Sequence, residues 1–382
     1  MKLGEITGMD RRKMIIGSGV GVALVGSGSL WWATRVPRTA SVPWTTAQQS
    51  SGDVRFDVLR YAILAPNPHN RQPWLMRLVD SDIVDLYCDL SKRLPETDPF
   101  DRQIVIGFGA FLEVARIAAA ERGIELTIEP FPTGEPHPRL NGRPVARLRF
   151  ADAASDIRDP LFGQIVDRRS TKEPYDVSRL VSDTEIKKFG EDGQATADRK
   201  FISRLQKVIL RALEIEVGVA RTHMESVRLL RIGNDEIDAN PDGIALTGPK
   251  IKVASLLGLL DRKALANPTS TASKAALDQL LSSYGSIPAL FWIKTPGNSR
   301  TDQLEAGRRY VRANLQATAL GLAMHPASQS LQEYPEMDVP FRRIHHLLGA
   351  TGSERIQMMA RVGYGPKVFA SPRWPLEKRL IT

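Results

Sequence analysis

The chain has 382 residues, a quarter of them charged, and a formal net charge of +9, enough length for one large domain or two of ordinary size. Its one cysteine, Cys88, excludes an intrachain disulfide, and no Cys/His cluster has the spacing of a metal site. Residues 1–40 hold six Lys/Arg and two Asp/Glu, so the body carries about +5. It has no run of Lys/Arg interleaved with aromatics, and no nucleic-acid partner is expected.

In chain order, the amino terminus reads as an address. Arg11-Arg12-Lys13 precedes Met14–Thr34, a charge-free stretch rich in Gly, Ser, Val and Trp. A basic region before an apolar run marks export, and the adjacent arginines look like a twin-arginine signal, which hands a folded protein to the twin-arginine export machinery. About 21 helical residues would also just cross a bilayer core of roughly 30 Å, so an uncleaved anchor stays open. The expected location is periplasmic, or anchored to the cytoplasmic membrane facing outward.

The body alternates helix and strand. A helix over 56–64 leads into Ala65-Pro-Asn-Pro-His-Asn-Arg-Gln-Pro-Trp74, where three prolines forbid helix interior and central strand alike. Strands at 74–78 and 83–87 form a hairpin around Asp80-Ser81-Asp82, an alanine-rich helix runs from 104 to Gly123, and strands follow at 124–128 and 145–150. Amphipathic helices are expected at 200–213 and 223–231, the least regular region at 234–273 holds an amphipathic 251–265, and a strand at 289–293, a helix over 304–321 and a strand at 356–362 close the pattern. His345 and His346 are expected at the surface. Gly109 to Gly123 and Gly307 to Gly321 share one glycine spacing, with Ala115, Ile117 and Ala119 matched by Ala313, Leu315 and Ala317. That repeat suggests a duplication.

Three stretches carry binding chemistry. The proline loop is stiff and sets the amides of Asn67, Asn70 and Gln72 among Pro66 and Pro68; amides suit the edge of a planar heteroaromatic ring. Arg168-Arg169-Ser170-Thr171-Lys172 gathers cations and hydroxyls suited to phosphate. Leu320–Gln329 and the tail Ser371–Leu376 complete the set.

These motifs resemble those of the nitroreductase family of FMN-dependent oxidoreductases, and their order resembles its Acg-type duplicated branch. The resemblance implies an α+β, nitroreductase-like fold whose duplicated halves, 53–153 and 160–382, form an intramolecular pseudo-dimer, monomeric, with a lid-like insert about 234–273. It assigns Pro66, Asn67, Pro68, Asn70 and Gln72 to the flavin ring, Arg168, Arg169, Ser170, Lys172 and Arg373 to the phosphate, and the backbone N–H of Ser328 to flavin N5. Lys172 stands where the family usually has a second arginine. Ser328-Gln329 stands where it more often has an acidic residue and a glycine. Each half keeps one of the two motifs, so a single FMN spanning both is expected. The implied activity is ping-pong transfer through FMN from NAD(P)H or a membrane-linked donor to a nitroaromatic, quinone or similar small-molecule acceptor. The alternative is an FMN storage or sequestration protein with little turnover. No catalytic side chain and no metal site is nominated.

Overall fold

A computed structural model describes residues 37–156 and 158–382. The twin-arginine and anchor expectations fall on residues 1–36, outside the described residues.

Two short helices, α1 (Val42–Thr46) and α2 (Val54–Ala62), precede the proline loop. Asp53 caps α2 by accepting from Arg55 N–H at 2.9 Å. Strands β1 (Trp74–Asp80), β2 (Ile83–Cys88), β3 (Ile124–Pro130) and β4 (Ala146–Asp152) form an antiparallel sheet in the order β1-β2-β4-β3. The long helix α3 (Arg102–Ala120) connects β2 to β3. A second antiparallel sheet has the order β5-β8-β10-β9, built from β5 (Gln194–Thr196), β8 (Ala289–Thr295), β9 (Ala323–Pro326) and β10 (Arg355–Gly363). Here α4 (Arg300–Ala319) connects β8 to β9. Exchanging β1, β2, α3, β3 and β4 for β5, β8, α4, β9 and β10 reproduces order and pairing alike. The architecture is α+β and its topology is repeated.

The match reaches single residues. Gly123 and Gly321 follow their helices at the same φ, +69°. Gly109 and Gly307 face each other where α3 crosses α4: a Cβ on Gly109 would stand 2.0 Å from Leu304 O, and one on Gly307 2.0 Å from Ile106 O. The first residue of each long helix is a buried arginine reaching into the opposite half. Arg102 donates to Leu331 O at 2.8 Å and Gln357 O at 2.6 Å, and Arg300 donates to Pro136 O at 3.1 Å and Pro138 O at 2.8 Å. The cores interlock as well, since Leu304, Val311 and Leu315 of α4 join the first core and Ile106 of α3 joins the second. One helix among the described residues, α3, is long and apolar enough to cross a membrane, and it is the buried core helix.

Where β1 and β2 are joined by a tight turn, β5 and β8 are separated by residues 197–288. This interruption is longer than the 234–273 stretch that stands out in the sequence. It holds helices Arg199–Gly218, Ala220–Arg228 and Thr271–Gly285 and a two-strand parallel pair, β6 (Leu230–Ile232) with β7 (Ile244–Leu246). The helix expected over 251–265 is broken: Pro249–Leu256 and Arg262–Ala266 are separate, with Gly258 at φ +67° between them. His345 is not a surface residue. It lies half-buried on Phe341, ring centroids 4.1 Å apart, and Nε2 accepts from Ile356 N–H. Finally β11 (Leu380–Ile381) returns to the first sheet and pairs in parallel with Met76 and Arg77 of β1.

Candidate functional site

The proline loop crosses α3 at Gly107, where a Cβ would meet Asn67 Cβ and Pro68 Cδ at 3.2 Å. Three L-residues in it have positive φ: His69 at 47°, Asn70 at 52° and Gln72 at 49°. Each such residue costs on the order of 1–2 kcal/mol, so the surroundings must impose the shape. They do so through the amides. Asn67 Oδ1 accepts from Gln72 N–H at 2.7 Å, and Asn70 Nδ2 donates to Pro372 O at 3.0 Å. Gln72, fully buried, donates from Nε2 to Pro241 O at 2.6 Å and accepts at Oε1 from Trp374 N–H at 2.8 Å. The structure therefore corrects the assignment of these amides to a ring edge. Asn67, Asn70 and Gln72 hold the loop, the tail and the insert together. Trp74 is likewise core, its ring 5.1 Å from Phe111.

Arg373 also has a structural task in place of direct phosphate binding. Its guanidinium is 2% exposed and every N–H is used. Nε donates to Ile63 O, Nη2 to Leu64 O and Ala65 O, and Nη1 to Asn70 Oδ1 and Pro372 O, all between 2.6 and 3.0 Å. It caps the carbonyls that α2 leaves unpaired at its carboxy-terminal end.

Beside it lie groups with donors to offer. Arg168, buried, uses Nη1 on Asn314 Oδ1 at 3.0 Å and Nη2 on Leu64 O at 3.1 Å. Arg169, half-buried, uses only Nη1, on Val166 O and Arg168 O at 2.8 Å. Lys172 Nζ has no partner among the described residues, and the buried Tyr310 hydroxyl has the Ser170 side chain as a hydrogen-bonding neighbour. None of Arg168, Arg169, Lys172 and Arg373 has a carboxylate at ion-pair distance among the described residues, unlike the buried Arg102, which pairs with Glu333 at 3.0 Å. Desolvation first, then repulsion by Arg169, pushes Arg168 down to about 10, and desolvation lowers Lys172. Lys172 as a whole nonetheless reaches solvent. An anion is the complement this cluster lacks.

Arg361 of β10, fully buried, holds the phosphate-type motif in place. Its Nη2 donates to the carbonyls of Thr171, Lys172 and Glu173 at 3.1, 2.8 and 3.0 Å, and its Nε donates to His325 Nδ1 at 3.3 Å. His325 lies against Tyr284, ring centroids 5.4 Å apart. His69 has its Nδ1 buried without a partner. Desolvation, then Lys172, pushes His69 down to about 4; desolvation, then Arg361 and Lys172, holds His325 well below its ordinary value. Burial disfavours the charged form of both imidazoles, and each feels the Lys172 ammonium. Next to His325, Ser328 uses its hydroxyl on Met359 O at 2.9 Å, while its N–H donates to nothing among the described residues. Gln329 donates from Nε2 to Tyr284 Oη at 3.0 Å and leaves Oε1 buried and unpaired.

The fold thus brings Arg168 and Arg169 beside Arg373 and the end of α2, and ties the backbone at Lys172 through Arg361 to His325, three residues before Ser328. Tyr310, His69, His325 and Arg361 are additions. His69 sits in the proline loop, and Tyr310 three residues beyond Gly307, so position pointed at both; nothing local singles out Arg361.

Curated proteins resemble this chain in sequence. Two Mycobacterium tuberculosis proteins provisionally named NAD(P)H nitroreductases, Rv3131 and acg, are each 24% identical to this chain. The matches span 336 and 331 residues, 85% of this chain and 89% and 95% of theirs. The chain is therefore a distant relative of Acg-like proteins of the nitroreductase family. No family model matches it. Among solved structures, a provisionally named nitroreductase from Anabaena variabilis aligns over 88% of this chain and 95% of its own, with 12% identity and a TM-score of 0.41. The FMN-dependent nitroreductase NfnB from Mycobacterium smegmatis, in complex with NADPH, aligns over 56% and 94%, with 14% identity and a TM-score of 0.34.

Proposed function

We propose that the chain is an FMN-dependent oxidoreductase of the nitroreductase type with one flavin site per chain. The observation that carries this reading is the cluster of Arg168, Arg169, Ser170, Lys172 and Tyr310. It has donors to spare and no carboxylate at ion-pair distance among the described residues. The donor set fits FMN at both ends. Arg169, Ser170 and Lys172 would hold the phosphate, with Tyr310 at their back. The Ser328 N–H, the Gln329 Oε1 and the His69 Nδ1 offer one donor and two acceptors to a heteroaromatic edge. FMN supplies two-electron redox chemistry when bound. The chain's own part is to bind, to exclude water and to keep His69 and His325 uncharged beside the ring site. Acceptors would be nitroaromatics, quinones or similar small molecules. The donor would be NAD(P)H, named in the titles of relatives, or a membrane-linked carrier.

Arg168 is too buried for a clean test, because its loss would also strand Asn314 Oδ1 and leave Leu64 O to Arg373 alone. The double variant Arg169→Gln/Lys172→Gln should stay folded and lose FMN affinity by roughly 100-fold or more, at about 1.5–3 kcal/mol per charge-assisted bond. Fluorescence titration of the apo-protein reads this directly. Unchanged affinity, or two FMN per wild-type chain by extraction, would refute the arrangement.

The same reading takes residues 11–34 as an export address. Replacing Arg11-Arg12 by Lys-Lys should leave the flavin-loaded protein in the cytoplasm; unaltered export of the variant would point to a plain membrane anchor.

A further inference from the structure

A strap of chain just before α2 runs over the cationic cluster. The Asp238 carboxylate accepts from the backbone N–H of Arg38, Thr39 and Ala40 at 3.0, 2.9 and 3.0 Å, and from Thr39 Oγ1 at 2.9 Å. Ala40 O then accepts from Arg373 N–H at 2.9 Å. Four residues on, the Trp44 indole donates from Nε1 to Ser371 O at 2.7 Å. Its ring is 7% exposed and lies under three guanidiniums at once, with centroid distances of 4.9 Å to Arg169, 5.3 Å to Arg373 and 5.9 Å to Arg168.

Three arginines this close repel one another, and no carboxylate among the described residues stands at ion-pair distance from them; Asp167 acts on Arg169 only from farther off. An aromatic face carries the negative end of a quadrupole, and a desolvated guanidinium over it is held without any charge being neutralised. A carboxylate in that place would hold the arginines equally well but would compete with an incoming anion. A tryptophan fixes their planes and leaves the positive potential intact.

Resting on the FMN reading above, we propose that Trp44 is a positioning residue of the phosphate site: the π-platform that orients Arg169 toward the phosphate and braces Arg168 and Arg373 beside it, carried there by the Arg38–Trp44 strap. The strap is clamped to Asp238 of the insert and to the tail, so phosphate binding depends on three segments far apart in sequence.

The test compares FMN with riboflavin, which lacks the phosphate, on the full-length apo-protein. A cation–π contact is worth roughly 3- to 30-fold in an equilibrium constant. Trp44→Leu should therefore weaken FMN binding about 10-fold or more and leave riboflavin binding within about 2-fold. Trp44→Phe, which keeps a face, should recover most of the loss, and it replaces the leucine variant if that one fails to fold. An equal loss for both flavins would overturn the platform role alone, since it marks general collapse of the site. Tighter FMN binding by Trp44→Leu would overturn it too, by showing that the ring blocks the phosphate position. If the wild-type chain binds riboflavin as tightly as FMN, the phosphate assignment itself falls, and this role with it.

Discussion

Gly307→Ala is expected to destabilise the protein by about 3 kcal/mol or more. The added Cβ would stand 2.0 Å from Ile106 O, 2.8 Å from Ala110 N and 2.8 Å from Gly109 Cα, all backbone atoms of α3. A long side chain could swing aside, but a helix backbone packed on both faces cannot, so α3 and α4 must separate. That separation would open both cores, because each helix contributes side chains to the other half. Gly321→Ala serves as the control. Nothing lies within 4 Å of its Cβ, and only φ of +69° opposes the change, at about 1 kcal/mol. Chemical denaturation of the two variants measures the difference; similar losses at both positions would mean that the helices do not cross at Gly307.

Asp242→Asn is expected to cost about 3–5 kcal/mol, although it alters a single atom. The carboxylate is 1% exposed and serves three cations: Arg71 at 3.3 Å, Arg231 at 2.7 Å and Lys92 in a short contact. Removing its charge leaves three cations facing each other in a poorly solvated space. Arg71 belongs to the proline loop and Asp242 to the insert, so the variant should also loosen the loop and raise its hydrogen-exchange rate. Burial alone would raise the Asp242 carboxyl, but Lys92 and Arg231 more than offset this and its pKa lies below the ordinary 3.8. The unfolded chain takes up the proton first as pH falls. The contribution is complete at neutral pH and is lost below about pH 4, through the lower pKa of the folded state. The asparagine variant should therefore show a flatter loss of stability in that acid range than the parent.

Much of this fold is legible in the sequence because it rests on local rules. The hairpin at 74–88, the two long helices and their glycine stops follow from periodicity and capping. The repeat is readable at one constant offset, and Arg102 with Arg300 extends it. Strands β5 and β9 escape such reading because they are only three and four residues long and owe their conformation to β8 and β10. The site divides in the same way. Lys172 Nζ and the Ser328 N–H keep open hydrogen-bonding capacity among the described residues. The amides of the proline loop do not, because a hydrogen-bonding group in a sequence carries no mark of whether the protein or a ligand will satisfy it. Gln72 and Arg373 are saturated by segments some 300 positions away, as in the Gln72–Trp374 and Arg373–Ile63 bonds. No local pattern encodes that.

The pairing of β11 with β1 sets an order of events during synthesis. The first sheet has its outer neighbour, and α2 its cap, only when the last dozen residues of the chain are free to return. While the ribosome still holds the carboxy terminus, the proline loop lacks Pro372, Arg373 and Trp374, the partners that enforce its positive φ angles. The amino-terminal half therefore waits for residues some 300 positions later, and a disturbance of residues 372–374 is felt by a loop near residue 70.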